Sequence, residues 1–150
     1  MNTRDQSLAS VLRWKTIMLV HSHVKTGPGA WTDAPPWFPL PIDSSPEALG
    51  RHVRTVLDSS GVGGADEYGS ALAEKYRLLG VTSERELMQG AQYVSVRCND
   101  ERIFVTPTEN GINLWHENFR HLTEQTFNIP RDSSDQAIGE AIHAGFSRCR

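Results

Sequence analysis

Two seven-residue stretches of the chain are near copies of each other, and both have the pattern of a helix start. Residues 44–50 and 133–139 are identical at four of their seven positions. Each stretch follows an apolar residue and a proline, places serines where a helix N-cap is expected, and carries a glycine within the first two turns. Glycine inside a helix costs up to about 1 kcal/mol relative to alanine, so we expect a second helix to approach each glycine closely. The alternative is that helix caps simply look alike, and two copies do not make a solenoid.

The rest of the chain alternates apolar strand patterns, helix patterns and turn residues. Helices are predicted from Pro46 (capped by Ser45) to the glycines at 61–64, over 67–79 before Gly80, over 83–90, and from a capping box of Ser133 with Gln136. Strands are predicted at 15–20, at 93–96 and 103–105 as a hairpin turning at 99–100, and at 127–129. Residues 111–125 carry no pattern that supports an assignment.

Two segments are predicted to lie outside the regular structure. Residues 27–46 contain six of the eight prolines together with several aromatic residues, which indicates a long irregular loop. Residues 1–14 are expected to be flexible. The prediction for the whole chain, 1–150, is a single α/β (α+β) domain, in which helices pack on a central mixed or antiparallel sheet of about four to five strands.

Charge and composition exclude several classes of protein. The net charge of −3 and the pI near 6.0 argue against a basic nucleic-acid binder. The first 16 residues have no apolar centre and the longest apolar run near them is short, so neither a signal peptide nor a membrane span is expected. Cys98 and Cys149 have no metal-site spacing and are expected to be reduced thiols of a cytoplasmic protein, with a disulfide between them left open.

No motif in the sequence indicates a catalytic centre. His116 and His121 are five residues apart, which places them about 140° apart on a helix rather than on one face as a zinc protease requires. The glycines at 61–64 follow a predicted helix and not a strand, so a phosphate-binding loop is not expected. His21 and His23 share one face of a strand, a spacing that metal sites use, but no acid or cysteine cluster lies nearby in sequence and polar surface is the simpler interpretation. We therefore expect no metal and no cofactor.

The surplus of acid lies in the body of the chain and suggests a basic partner. Residues 44–150 carry 15 acidic against 11 basic side chains, whereas residues 1–43 carry 3 against 4. A solvated face is one explanation, and electrostatic complementarity to a basic protein is the other. Large aromatic residues are favoured as interface anchors, although in a loop they also fill cores. The candidate partner-binding residues are Asp66, Glu67, Asp100, Glu101, Trp37 and Trp115.

Several segments, in this order, resemble the immunity proteins of bacterial contact-dependent growth inhibition (CDI) systems, the CdiI family. The segments are His21-Ser22-His23, residues 42–50, Leu79-Gly80-Val81 with 83–87, Val94-Ser95-Val96 through 105–108, and Ile129-Pro130 with 133–139. They span most of residues 16–149, and each is a structural motif with no catalytic content.

The resemblance implies a cytoplasmic, non-enzymatic protein that binds the C-terminal toxin domain of a cell-surface effector, commonly a nuclease. It carries over no functional residues, so the acids above are a hypothesis, namely that they mimic nucleic-acid phosphates towards the toxin. Two alternatives remain open: a small metal-dependent enzyme that uses His21 and His23, and an adaptor subunit unrelated to any toxin.

Overall fold

The computed structural model describes residues 7–27, 30–60, 68–111 and 119–150. Its helices are α1 (Pro46–Ser59), α2 (Tyr68–Leu79), α3 (Glu84–Leu87) and α4 (Asp135–Ser147), and a 3₁₀ turn lies at Thr123–Gln125. Its strands are β1 (Ser7–Trp14), β2 (Ile17–Gly27), β3 (Ala30–Pro41), β4 (Gln92–Cys98), β5 (Arg102–Asn110), β6 (Phe119–His121) and β7 (Phe127–Pro130). None of the described helices is long and apolar enough to cross a membrane.

The seven strands form one antiparallel sheet with the order β3-β2-β1-β4-β5-β6. Strand β7 lies on the same edge of β5 as β6, and it pairs with the first half of β5 whereas β6 pairs with the end of β5. The predicted class, helices packed on a sheet in an α+β fold, is confirmed. The predicted four to five strands were too few because two strands lie in segments that the sequence pattern assigned to loop and flexible chain.

In those two segments the sequence-based prediction was wrong. Most of the predicted loop at 27–46 is the edge strand β3. An edge strand tolerates prolines because on one side it has no neighbouring strand to which backbone amides would donate hydrogen bonds. Pro35 and Pro36, joined by a cis peptide bond, fall where the β2–β3 register shifts between His21 and Ser22. Much of the predicted flexible segment at 1–14 is β1, a central strand paired on both sides.

The helix predictions are confirmed with small shifts. Ser45 caps α1 by accepting a hydrogen bond from the amide of Ala48. The corresponding cap of α4 is Ser134, which accepts from Ala137, so the predicted cap at Ser133 is wrong by one residue. Gly80 ends α2 with a φ of +72°, a conformation that favours glycine. The glycines at 61–64 and the predicted helix start at Glu67 lie outside the described residues.

The two copied helix starts pack against each other, as the glycines predict. A methyl group added at Gly50 would lie 2.6 Å from the carbonyl carbon of Asp135 and overlap its oxygen. A methyl group added at Gly139 would meet the corresponding atoms of Pro46, so the contact is reciprocal. Arg54 strengthens the crossing through a 3.0 Å ion pair with Asp135. The repeated sequence therefore produces a near-symmetric crossing of α1 and α4.

The sheet has two different faces. The first face packs against α1 and α4 through a continuous apolar core that includes Val11, Val20, Val94 and Ile142. The second face, on the side of α2 and α3, has a smaller apolar cluster: Leu12, Trp14, Leu19, Leu79, Val81, Leu87 and Ala91. Next to this smaller cluster, strand positions that would normally carry apolar residues carry polar ones.

Candidate functional site

A cavity of about 430 Å³ opens on the second face of the sheet, beside the smaller apolar cluster. Its apolar wall is formed by Leu12 and Phe119. Its polar lining consists of His21, Asp33, Lys75, Glu84, Tyr93 and His121. These side chains come from strands β2, β3, β4 and β6 and from helices α2 and α3, so no short sequence motif encodes the site.

Strand pairing explains why polar groups meet here. Ser10 of β1 pairs with His21 of β2, and His23 of β2 pairs with Asp33 of β3. Directly paired residues of antiparallel strands point to the same face of the sheet. His21 and His23 are two residues apart and also share that face. The register therefore gathers all four side chains on one patch of the sheet.

The histidines are largely withdrawn from solvent, so the interpretation of the pair as polar surface is wrong. His21 is only 2% exposed, and its ring packs on that of Trp37 at 4.9 Å between centroids. Burial lowers the pKa of His21, and burial together with the neighbouring His21 lowers the pKa of His23 to about 4. Both imidazoles are therefore neutral at pH 7.

Asp33 and Lys75 form a buried ion pair at the base of the cavity. Lys75 of α2 is 5% exposed, and its ammonium donates a hydrogen bond to Oδ2 of Asp33 at 2.9 Å. Burial opposes ionisation of both groups, but the opposite charge keeps the pKa of Lys75 raised. The pKa of Asp33 is held well below its usual range, because the neighbouring His21 and Lys75 outweigh the effect of burial. The pair fixes α2 on the outer strands of the sheet.

A chain of polar contacts links this ion pair to the centre of the sheet. Ser10 donates its hydroxyl proton to the phenol oxygen of Tyr93 at 2.9 Å and lies 2.5 Å from Nε2 of His23. Nδ1 of His23 in turn lies 3.7 Å from Oδ1 of Asp33. Burial raises the pKa of Tyr93, which keeps its phenol neutral. The arrangement is a buried polar network with one open side.

The six candidate residues from sequence are not brought together in the part of the chain that the structure describes. Asp100 and Glu101 are exposed at the β4–β5 turn, which lies at the opposite end of β4 from the cavity residue Tyr93. Trp37 lies on the second face against His21. Asp66, Glu67 and Trp115 lie outside the described residues. Asp33, Lys75 and Tyr93 were not predicted from the sequence. The one sequence signal for a polar site was the presence of polar residues, such as Ser10 and His21, in strands that are otherwise apolar.

The acid sensitivity of the fold should follow from the two neutral histidines. Between pH 6.5 and about 4 the unfolded chain binds protons that the native His23 does not, so the free energy of unfolding falls as the pH is lowered. For His23 alone the loss amounts to about 3 kcal/mol. Urea unfolding in the presence of a chelator, at pH 7 and pH 4.5, measures this loss. In His23→Gln the free energy of unfolding should fall less between pH 7 and pH 4.5 than in the wild type, whereas in His143→Gln, on α4, it should fall as much as in the wild type. An equal fall in the wild type and both variants would contradict the prediction.

Comparison with known proteins identifies the class to which this fold belongs. The family model described as CdiI, CDI immunity protein, matches residues 63–149, which is more than half of the chain. The chain belongs to the CdiI family of immunity proteins. No curated protein sequence matches the chain.

Two solved structures share the fold across nearly the whole chain. A protein of unknown function from Neisseria meningitidis superposes with a TM-score of 0.81 at 19% identity, covering 100% of this chain and 99% of that one. A chain of the CdiA-CT/CdiI toxin and immunity complex from Yersinia pseudotuberculosis superposes with a TM-score of 0.78 at 19% identity, covering 97% and 98%. At this level of identity the similarity establishes the fold.

Proposed function

We propose that this protein binds the C-terminal toxin domain of a CDI effector in the cytoplasm and neutralises it without catalysing a reaction. The observation that carries the proposal is the family match over residues 63–149. The related fold in a CdiA-CT/CdiI toxin and immunity complex supports it. The buried polar network adds further support, because Ser10, the one hydroxyl in hydrogen-bond contact with a histidine ring among the described residues, is 0% exposed and out of reach of a substrate.

The toxin is proposed to be a nuclease with a basic substrate-binding surface, since the immunity protein carries its excess acid in the body of the fold. Asp100 and Glu101 are the described acids best placed to meet such a surface. Both are exposed at a turn, and the nearest cation to Asp100 is Arg131 at 3.9 Å, a distance too long for a hydrogen bond. Their carboxylates are therefore available to replace nucleic-acid phosphates at the toxin.

Protection of living cells tests the function directly. The cognate toxin domain is expressed from an inducible promoter, with and without this protein, and viable cells are counted. Protection against the cognate toxin, with no protection against an unrelated CDI toxin, is the expected result. Equal survival with and without this protein would contradict the proposed function.

Charge reversal tests the proposed contact surface. The double variant Asp100→Lys, Glu101→Lys should slow association with the cognate toxin by about tenfold or more at low salt, and should reduce the dependence of the association rate on ionic strength. The control is Glu140→Lys, which reverses one charge at an exposed position of α4. Surface plasmon resonance at two salt concentrations measures both effects. Unchanged association of the double variant would exclude this turn from the interface and leave the function itself to the protection assay.

A further inference from the structure

Three potential metal ligands meet in the polar network of the second face. One ligand atom from each of His21, His23 and Asp33 lies within 4.8 Å of the other two. Within this group, Nδ1 of His23 is 3.7 Å from Oδ1 of Asp33. Atoms bound to one zinc ion at about 2 Å each lie about 3.3 Å apart in tetrahedral geometry, so modest side-chain rotations would close the site.

The hydrogen bonds of each histidine ring favour a tautomer in which one nitrogen carries the proton and the other keeps its lone pair. Nδ1 of His21 is 3.0 Å from the carbonyl oxygen of Ser22, which can accept a hydrogen bond but not donate one, so Nδ1 carries the proton and Nε2 keeps its lone pair. A ligating histidine is commonly oriented by such a bond to a backbone carbonyl. Among the described residues, Nε2 of His21 has no hydrogen-bond partner, and this side chain lines the cavity.

His23 is oriented in the same way by a different group. Ser10 has a single hydroxyl proton and donates it to Tyr93, so the proton in the bond between Ser10 and His23 comes from Nε2 of His23. The lone pair of this ring is therefore on Nδ1, facing the carboxylate oxygen of Asp33. Two electron-rich atoms that face each other at 3.7 Å repel in the absence of a positive charge between them.

We propose that His21, His23 and Asp33 form a binding site for a divalent transition metal ion, with zinc as the expected occupant. Two imidazoles and a carboxylate are a ligand set that zinc uses, and three protein ligands leave a fourth position open. His21 and Asp33 line the cavity, so water or a side chain of a bound protein could reach that position. The proposal does not depend on the toxin being the partner.

Lys75 determines how tightly the site holds a metal. Its ammonium contacts Oδ2 of Asp33 and leaves Oδ1, the oxygen nearer to His23, for the metal. A buried positive charge beside a metal ion weakens its binding through repulsion. Lys75→Met keeps most of the side-chain volume and removes this charge, so it should tighten zinc binding by about tenfold or more.

Metal titration of the chelator-treated full chain tests the proposal. Zinc binding is followed by isothermal titration calorimetry and by the rise in melting temperature, and cobalt binding by its visible absorption, which reports a tetrahedral site with nitrogen and oxygen ligands. The wild type should bind one equivalent of either metal. His21→Gln should lower the affinity by about 100-fold or more, beyond the range typical of outer-shell partners. The control His143→Gln, on the opposite face of the sheet, should bind like the wild type.

A pair of variants isolates the carboxylate even if single substitutions at Asp33 weaken the fold. Lys75→Met lacks the ammonium, and Asp33→Asn with Lys75→Met lacks both charges, so neither leaves a buried ammonium unpaired. Circular dichroism confirms folding, and only the first of the two should bind zinc tightly. Absence of binding by the wild type, binding by Lys75→Met alone, or binding that survives both His21→Gln and the double substitution would each overturn the proposal.

Discussion

Gly50→Ala is expected to lower the free energy of unfolding by about 3 kcal/mol, one of the largest effects of a single substitution in this chain. The added methyl group would occupy the space of the Asp135 carbonyl, which belongs to the backbone of α4 and has no rotamer to move away. The two helices must separate, which opens the packing of the first face along its length. Gly139→Ala should have a similar effect, since it meets the corresponding carbonyl of Pro46.

Urea unfolding monitored by circular dichroism measures this effect, with Gly90→Ala as the matched control. A methyl group at Gly90 would lie 3.6 Å from the ring of Trp14, an ordinary contact, so the control should stay close to wild type. The double variant Gly50→Ala, Gly139→Ala should cost less than the sum of the two singles, because one separation of the helices relieves both clashes. If Gly50→Ala had the same free energy of unfolding as the wild type, α1 and α4 would not cross at these glycines.

Asp33→Asn, measured in the presence of a chelator, is expected to cost about 3–5 kcal/mol, because it leaves the buried ammonium of Lys75 without its counter-charge. Lys75→Met should cost less, since the Asp33 side chain is 27% exposed and water can solvate part of its charge. The double substitution should cost less than the sum of the singles, and the difference measures the coupling of the pair.

The pH dependence of this pair has a definite sign. The native pKa of Asp33 lies below its unfolded value, so the pair contributes its full stability above about pH 4 and loses it as the pH falls towards the native pKa. Asp33→Asn should remove the loss of stability that protonation of Asp33 causes. It should also lower the pKa of both histidines further, because the Asp33 charge raises them in the wild type. As a control, Glu74→Gln breaks the surface pair with Arg77 and should change stability little, because exposed ion pairs contribute little. Equal effects of Asp33→Asn and Glu74→Gln would show that the buried pair is not stabilising.

The elements that could be predicted from sequence are those with local signals. The α1 start is encoded by a capping serine and a proline within a few residues. The close contact at Gly50 could be predicted because glycine destabilises a helix, so its presence there indicates that a larger side chain would not fit. The β4–β5 hairpin was predictable because Asn99 closes its turn, accepting hydrogen bonds from the amides of Glu101 and Arg102. Each of these signals lies within the element that it specifies.

The polar site could not be predicted, because its members meet only through strand register. Asp33 reaches His23 across a β2–β3 pairing whose register shifts between His21 and Ser22, and the prolines on β3 concealed the strand itself. Lys75 comes from a helix more than 40 residues further along the chain. In the sequence His21 and His23 have no acidic cluster nearby, and the contact with Asp33 is made across strands, so it does not show in the spacing along the chain.

The position of β1 at the centre of the sheet has a consequence for how the chain folds. During synthesis β1 can pair with β2 early, but its other edge has no partner until β4 emerges some 80 residues later. Until then the growing chain exposes an unpaired strand edge that can bind other chains. We expect refolding to be limited by closure of this long-range β1–β4 pairing, and the nascent protein to be most prone to aggregation before residues 92–98 are made.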